Sequence, residues 1–139
     1  MGATGQGRFL ACLAEAYAEL GQFDDAWRCI SEALTRIDTT KERWFEADFN
    51  RIAGEVVRRS PEWDAVQVEA YFERALAVAR AQQAKSWELR ATMSMARLWR
   101  DQGKRDKARE LLAPIYGWFS EGFDTPVLKE ARALLDQMV

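Results

Sequence analysis

Carboxylates and two cysteines are the side chains of this sequence that could take part in catalysis, because it contains no histidine. The absence of histidine excludes His-based acid–base chemistry, Ser-His-Asp and Cys-His nucleophiles, and zinc sites with imidazole ligands. The acidic residues Asp24, Asp25, Asp101 and Asp106 lie where helices are expected to begin or end. That placement favours helix capping and dipole stabilisation. We therefore predict that the chain is not an enzyme and holds no cofactor and no metal.

The two cysteines, Cys12 and Cys29, do not form a Cys-x-x-Cys motif, and no histidine is present that could lower a thiol pKa. Two cysteines in 139 residues are also weak support for a disulfide framework. We expect reduced thiols packed within helices, in a cytoplasmic protein. No secretory leader is recognisable and no apolar run approaches about 18 residues, so we expect no association with a membrane.

The elements that must position these side chains are helices. Apolar residues recur at intervals of three and four through most of the chain, and the alternation typical of strands is almost absent. The pattern predicts helices over about 8–20, 24–37, 40–60, 62–83, 86–103, 105–119 and 125–138. Gly21 is expected to end the first helix, Asp24 to cap the second and Thr39 or Thr40 to open the third. Short turns between consecutive helices predict antiparallel helix pairs.

The sequence also repeats, at intervals of 40 and 42 residues. Each copy has a small residue in its first helix and, except for one valine, another in its second: Ala14 and Ala26, Gly54 and Val68, Ala96 and Ala108. Only a small side chain permits the backbones to approach closely where paired helices cross.

This arrangement resembles the tetratricopeptide repeat (TPR), in which a large aromatic residue follows the first small residue and a turn glycine precedes the second helix. The first copy matches best, in Leu10, Leu13, Ala14, Tyr17, Gly21, Phe23, Ala26, Ile30 and Ala33. The second copy lacks the turn glycine and has a longer loop over 58–64, and the third has Arg105 where an apolar residue is usual. The interval exceeds the roughly 34 residues of the standard repeat, so longer helices are expected.

The TPR resemblance implies an all-α fold: an α-solenoid of three antiparallel helix pairs plus a C-terminal capping helix, seven helices in all. It implies one helical-repeat domain over 8–139 after a disordered or tag-like N-terminus at 1–7. The expected repeats cover about 8–40, 41–84 and 86–120, with the capping helix at 125–138.

A narrower resemblance lies in the segments Glu42–Asp48, Ser86–Ala91 and Tyr116–Thr125. They are similar to the extreme C-terminal repeats of large bacterial signalling ATPases, which often join an NTPase module to a class III nucleotidyl cyclase or a DNA-binding regulatory domain. The chain itself has no GxxxxGK[ST] motif and so no phosphate cradle. The resemblance therefore implies a sensor, scaffold or regulatory region.

In TPR proteins the first helix of each pair lines a concave groove, and transfer of that register implies a set of groove residues here. They are Arg8, Glu15, Asp48, Arg51, Glu55, Arg58, Arg90, Arg97 and Asp101. This surface is mixed in sign and richer in arginine toward its C-terminal end, which suits an acidic peptide or protein, because arginine binds carboxylates through two parallel hydrogen bonds. For each residue the alternative interpretation is an ion pair that solvates a helical face.

We therefore predict a noncatalytic protein–protein interaction module that binds a peptide or protein surface in this groove. Two alternatives stay open: nucleic-acid binding through the segment 80–109, which has nine basic and three acidic residues, and small-molecule sensing in the groove. The net charge of −2 argues against nucleic acid, as does the N-terminal half, where thirteen acidic residues stand against eight basic ones. The pattern favours no particular oligomeric state.

Overall fold

A computed structural model describes residues 6–41 and 43–138, and every regular element in that part of the chain is an α-helix. The seven helices described are α1 (Gln6–Glu19), α2 (Phe23–Thr40), α3 (Glu46–Arg59), α4 (Ala65–Ala81), α5 (Lys85–Asp101), α6 (Arg105–Trp118) and α7 (Pro126–Gln137). The all-α prediction is confirmed. None of these helices combines the length and the apolar character needed to cross a membrane.

The helices pack in consecutive pairs: the three most extensive contacts are α1 with α2, α3 with α4, and α5 with α6. The first members of the pairs also contact one another in order, α1 with α3, α3 with α5, and α5 with α7. We call α1, α3, α5 and α7 the first layer, and α2, α4 and α6 the second layer. The helices of the second layer contact the first layer but, within the described residues, not one another.

Glycines close two of the helix pairs. Gly21 has a φ of 78° and Gly103 a φ of 81°, in the left-handed region that glycine adopts without strain. In the first turn the amide of Gln22 donates to the carbonyl of Tyr17 at 2.9 Å, and in the third the amide of Lys104 donates to that of Trp99 at 2.8 Å. These bonds satisfy the last carbonyls of α1 and α5. The predicted role of Gly21 is confirmed.

The second pair is joined differently, as its missing glycine predicts. α3 ends at Arg59. The next residue, Ser60, is extended, which is the conformation that the following Pro61 favours. The chain then runs to Asp64, whose side chain accepts a hydrogen bond from the amide of Val66 at 3.0 Å and so caps α4. The longer loop exists because this turn uses a proline stop and a separate cap.

The predicted start of the third helix at Thr39 or Thr40 is wrong. α2 continues through Thr40, and Lys41 ends it in a left-handed conformation with φ 62°. The hydroxyl of Thr40 donates to the carbonyl of Arg36 at 2.6 Å, four residues back. A threonine that bonds within its own helix does not cap the next one, and α3 begins only at Glu46.

Two further boundaries differ from expectation. Asp24 does not cap α2, since the helix begins at Phe23 and places Asp24 in its first turn, where its charge favours the helix dipole. α1 begins at Gln6 rather than Arg8, so residues 6 and 7 of the expected N-terminal tail are helical. The rest of that tail, residues 1–5, lies outside the described residues.

The core consists of two clusters of buried side chains. The first joins α1 and α2 to the near side of α3 and includes Ile30, Ile37, Phe49 and Val56. The second cluster fills the space among the remaining helices, around Phe72, Leu98, Leu112 and Leu134. The side chains of Trp27 and Tyr71 pack against both clusters and connect them.

We predict that Gly54→Ala destabilises the protein although alanine favours helices. A Cβ at Gly54 would lie 2.6 Å from a ring carbon of Phe72, whose side chain is fully buried. The overpacked site should lose about 1–3 kcal/mol of unfolding free energy, measured by urea denaturation followed by circular dichroism.

The matched control is Gly117→Ala in α6, where an added Cβ meets no atom within 4 Å. Its helix propensity should raise stability by up to about 1 kcal/mol. Equal effects of the two substitutions would contradict a close crossing of α3 and α4 at Gly54.

Candidate functional site

The structure brings the nine predicted groove residues together on the first layer. Seven of them form ion pairs with one another. Of the other two, Glu55 accepts a hydrogen bond from Ser94 and Arg97 contacts Glu130. We call this surface the charged face; it comprises Arg8 and Glu15 on α1, Asp48, Arg51, Glu55 and Arg58 on α3, and Arg90, Arg97 and Asp101 on α5.

Asp48 is the centre of the charged face, and its side chain is only 2% exposed. Its Oδ1 atom accepts a hydrogen bond from Nε of Arg51 at 2.7 Å. Its Oδ2 atom lies 3.9 Å from a guanidinium nitrogen of Arg8 and 4.0 Å from one of Arg90. One buried carboxylate thus holds arginines from α1, α3 and α5, and three positive charges surround one negative charge.

Arg51 is the most firmly held of the three arginines. Burial by itself lowers the pKa of Arg51, but the charge and the hydrogen bond of Asp48, with further contributions from Glu15 and Glu55, raise it above its ordinary value. The carboxylate of Glu15 lies 3.8 Å from the Arg51 guanidinium. Arg51 is therefore a fixed positive charge beneath the surface, and its Nε–H group is already hydrogen-bonded to Asp48.

Two other contacts tie α3 to α5. The hydroxyl of Ser94 donates to the carboxylate of Glu55 at 3.1 Å, and both residues are buried. Arg58 forms an ion pair with Asp101, which also lies 3.0 Å from Nε of Arg100. The polar groups of Glu55, Arg58 and Asp101 are thus occupied within the protein, and these residues stabilise the stacking of the first layer.

Arg90 and Arg97 are held less tightly. Their side chains are 44% and 32% exposed, and their carboxylate contacts are longer, at 4.0 Å to Asp48 and 3.4 Å to Glu130. The Nε atom of Arg8 is buried and has no hydrogen-bond partner in the described part of the chain. Arg90 and Arg97 are consequently the arginines of the charged face whose donors are most open to an external carboxylate.

Trp87 and Glu130 belong to the site although the sequence did not single them out. The guanidinium groups of Arg8 and Arg90 lie over the Trp87 ring, with centroid distances of 5.3 and 5.8 Å that fit cation–π contacts. The three-residue spacing of Trp87 and Arg90 on one helix was a usable signal. Glu130 lies on α7, which the repeat register did not include.

Two adjoining clefts open on the charged face. A polar cleft of about 320 Å³ is lined by Glu15, Arg51, Arg90, Met93, Arg97, Pro126, Val127 and Glu130. A more apolar cleft of about 440 Å³ has Arg8, Trp87, Leu89, Arg90, Phe119 and Val127 among its walls. Arg90 and Val127 line both clefts, so a ligand that spans the two would meet Arg90 at their junction.

The basic segment 80–109 is spread over α4, α5 and α6. Arg80 and Lys85 both contact Glu88, at 3.2 and 3.4 Å. The ammonium of Lys107 lies 4.4 Å from the ring centroid of Trp99. Arg100 and Arg109 also have carboxylate contacts. Apart from Arg90 and Arg97, most cations of this segment therefore already contact a carboxylate or a ring within the protein.

The cysteines lie in different surroundings, and both are free. Cys29 is buried in α2, as predicted, but the predicted packing of Cys12 is wrong, because Cys12 is exposed on α1. Burial raises the pKa of Cys29. The charges of Glu32 and Asp25 raise it further, and that of Arg28 partly opposes the shift. The described residues contain no group of three or more acidic or thiol side chains that could hold a metal ion.

No protein-family model matches the chain, and no curated protein is significantly similar to it. A function for the chain is therefore supported by its internal repeat and by the geometry of the charged face. The structure adds to both, since the repeated small residues are buried and the groove residues are in contact.

We predict that Asp48→Asn destabilises the protein strongly. The amide has no charge to balance three guanidinium groups, and Arg51 would stay buried without its closest ion-pair partner, with only the longer contact to Glu15 left. Loss of one partner of such a pair should cost on the order of 3 kcal/mol in chemical denaturation. The exposed Asp106→Asn, which breaks a surface pair with Arg109, should change stability by less than about 1 kcal/mol. Similar losses in both variants would contradict a central role for Asp48.

We also predict that a maleimide labels the folded chain once, at Cys12. Burial blocks access to Cys29 and raises the pKa of its thiol, which lowers the fraction of reactive thiolate. Mass spectrometry should show one adduct on the wild type and on Cys29→Ser, and none on Cys12→Ser until urea unfolds it. Equal labelling rates for the two thiols at pH 7 would refute this assignment.

Proposed function

We propose that the chain is a TPR-like α-solenoid that serves as a noncatalytic protein-interaction module. Three helix pairs whose first members contact one another in order support this arrangement. The repeated positions Ala14, Gly54, Ala96, Ala26, Val68 and Ala108 are all buried, as helix crossings require. α7 covers the last pair through Leu128, Ala131 and Leu134, which suits a capping helix.

We further propose that the charged face binds an acidic peptide or an acidic protein surface. The observation that carries this proposal is the position of Arg90, half exposed at the junction of two clefts and held only by long contacts. A partner carboxylate would replace a 4.0 Å contact with direct charge-assisted hydrogen bonds. Asp48 and Arg51 would form the rigid base beneath it, and Trp87 and Val127 would contact apolar parts of the partner.

The biological setting follows from sequence resemblance. Similarity to the C-terminal repeats of bacterial signalling ATPases supports a sensor or regulatory role of this module, in the cytoplasm, beside an NTPase or cyclase module. Nucleic-acid binding is less well supported, because most cations of the segment 80–109 already contact carboxylates or a ring. The small-molecule alternative differs little from this proposal, because a small molecule with a carboxylate would bind the same arginines as an acidic peptide.

The test is selection of a phage-displayed library of random dodecapeptides on the full chain. We expect enrichment of peptides rich in Asp and Glu, and binding of a chosen peptide that weakens as salt is raised. Arg90→Glu/Arg97→Glu should lower the affinity at least tenfold in fluorescence polarisation, since it places two negative charges at the junction of the clefts.

The matched control is Arg74→Glu/Arg105→Glu, which makes the same change in net charge at exposed positions of the second layer. This control should bind the peptide like the wild type, and circular dichroism should show both variants folded. Enriched peptides without acidic residues, or an equal loss in the control, would count against the charged face as the binding surface.

A further inference from the structure

The two clefts of the charged face belong to a longer trough that follows α5. A third cleft, of about 820 Å³, lies at the start of α5 and is also lined by residues near the ends of α4 and α6. It shares Ser86 and Phe119 with the apolar cleft, which in turn shares Arg90 and Val127 with the polar cleft. The apolar cleft therefore continues into another cleft at both of its ends. We call the three connected clefts the α5 trough.

The order of the clefts gives the α5 trough a direction along the helix. Its lining residues on α5 run from Arg97 and Met93 in the polar cleft, through Arg90 and Trp87, to Lys85 in the third cleft. α5 rises about 15 Å between Trp87 and Arg97, a length that an extended peptide covers in about four residues. An elongated trough that continues past its apolar part suits a peptide chain that passes through it better than a compact molecule.

Charge and polarity change along the trough. The polar cleft presents Arg90 and Arg97, whose contacts to carboxylates are long. The apolar walls of the next cleft are Trp87, Leu89, Phe119, Val127 and Leu128. Arg8 also lines this cleft but already contacts Asp48 and the Trp87 ring, and the exposed Glu121 disfavours a carboxylate there. The polar cleft therefore favours acidic residues, and the apolar cleft favours an uncharged apolar side chain.

The cations of the third cleft are already engaged. Arg80 and Lys85 both contact Glu88, at 3.2 and 3.4 Å. The ammonium of Lys85 also lies 5.6 Å from the ring centroid of Trp118. The carboxylates of a ligand are therefore expected in the polar cleft, at the other end of the trough.

The start of the chain does not match this pattern. The residues that precede Gln6 carry no acidic side chain. They cannot supply carboxylates to Arg90 and Arg97, so the charge of the polar cleft calls for an acidic partner.

We propose that the α5 trough binds an extended internal peptide segment with the pattern apolar-x-acidic-x-acidic, read in either chain direction. Side chains two residues apart on an extended chain point to the same side and are about 7 Å apart. The guanidinium of Arg90 lies 5.8 Å from the Trp87 ring centroid, so this spacing fits a carboxylate on Arg90 and a large apolar side chain in the apolar cleft. The second acidic residue then extends toward Arg97. The proposal rests on the proposed function, to which it adds the apolar residue and its spacing.

The test is isothermal titration calorimetry of the full chain with peptides that are acetylated and amidated, so that side chains provide their only carboxylates. The probe is Gly-Phe-Gly-Glu-Gly-Glu-Gly, or the reversed order if that peptide binds more tightly. The matched control peptide has serine in place of phenylalanine. We expect the phenylalanine peptide to bind at least tenfold more tightly, because its ring is buried in the apolar cleft.

A third peptide tests the spacing. Four further glycines between the phenylalanine and the glutamates should remove most of the gain, because a longer flexible linker lowers the effective concentration of the second group. Equal affinity of the short and long peptides would overturn the proposed spacing.

Variants of the protein test the location. Phe119→Ser should bring the ratio of the two affinities, phenylalanine peptide to serine peptide, close to one, and Val127→Ser on α7 is a second variant of the same cleft. The matched control is Phe123→Ser, which removes a 43% exposed ring that packs beside Tyr116 rather than in the trough. This control should keep the wild-type ratio, and circular dichroism should show that each variant is folded.

The outcomes separate this proposal from the proposed function. If neither peptide binds, the charged face is not a site for acidic peptides, and both proposals fail. Equal affinities of the phenylalanine and serine peptides would leave the proposed function standing and overturn the apolar pattern. An affinity ratio that neither Phe119→Ser nor Val127→Ser lowers would overturn the assignment to the apolar cleft.

Discussion

The buried carboxylate of Asp48 is the interaction on which the charged face depends. A carboxylate that is 2% exposed is tolerable only when cations and donors surround it, and here they come from α1, α3 and α5. The arginines depend on Asp48 in turn, because its negative charge reduces the repulsion among the three guanidinium groups. Three helices of different repeats are thereby held at fixed spacing by one ionic centre, in which three arginines share one buried carboxylate.

The arginines of the charged face fall into two groups with different roles. Arg51 and Arg58 contact carboxylates closely and belong to the scaffold. Arg90 and Arg97 have longer contacts and greater exposure, so their guanidinium groups keep donors for a partner. A surface made in this way can bind an anion without breaking the close ion pairs of Arg51 and Arg58, because the rigid base and the accessible donors are different residues.

Much of the fold follows from local sequence rules. The 3.6-residue apolar periodicity located all the helices, and recurring small residues located the crossings at Ala14, Gly54 and Ala96. The boundary between α2 and α3 could not be located this way, since Thr40 is equally suited to cap a helix or to bond within one. The hydroxyl of Thr40 bonds to the carbonyl of Arg36, and this carbonyl is within reach only once α2 has formed. Residue type alone therefore does not decide between the two roles.

The candidate site was predictable in its members but not in their roles. Repeat register placed nine charged residues on one surface, yet it does not specify distances, so Asp48 and Glu55 were indistinguishable from exposed residues. Their burial results from the stacking of α1, α3 and α5. Trp87 and Glu130 were missed because a ring that lies under two arginines and a carboxylate on the capping helix are properties of tertiary packing.

The most direct measurement of the central claim is an NMR titration of arginine Nε–Hε signals with a hexaglutamate peptide. The signals of Arg90 and Arg97 should shift strongly, because their side chains are the accessible arginines of the charged face. The Arg51 signal should stay in place, since its Nε–H already donates to Asp48 at 2.7 Å. Equal shifts at Arg74 and Arg105, or no shift at Arg90, would contradict the account of the charged face as a selective anion-binding surface.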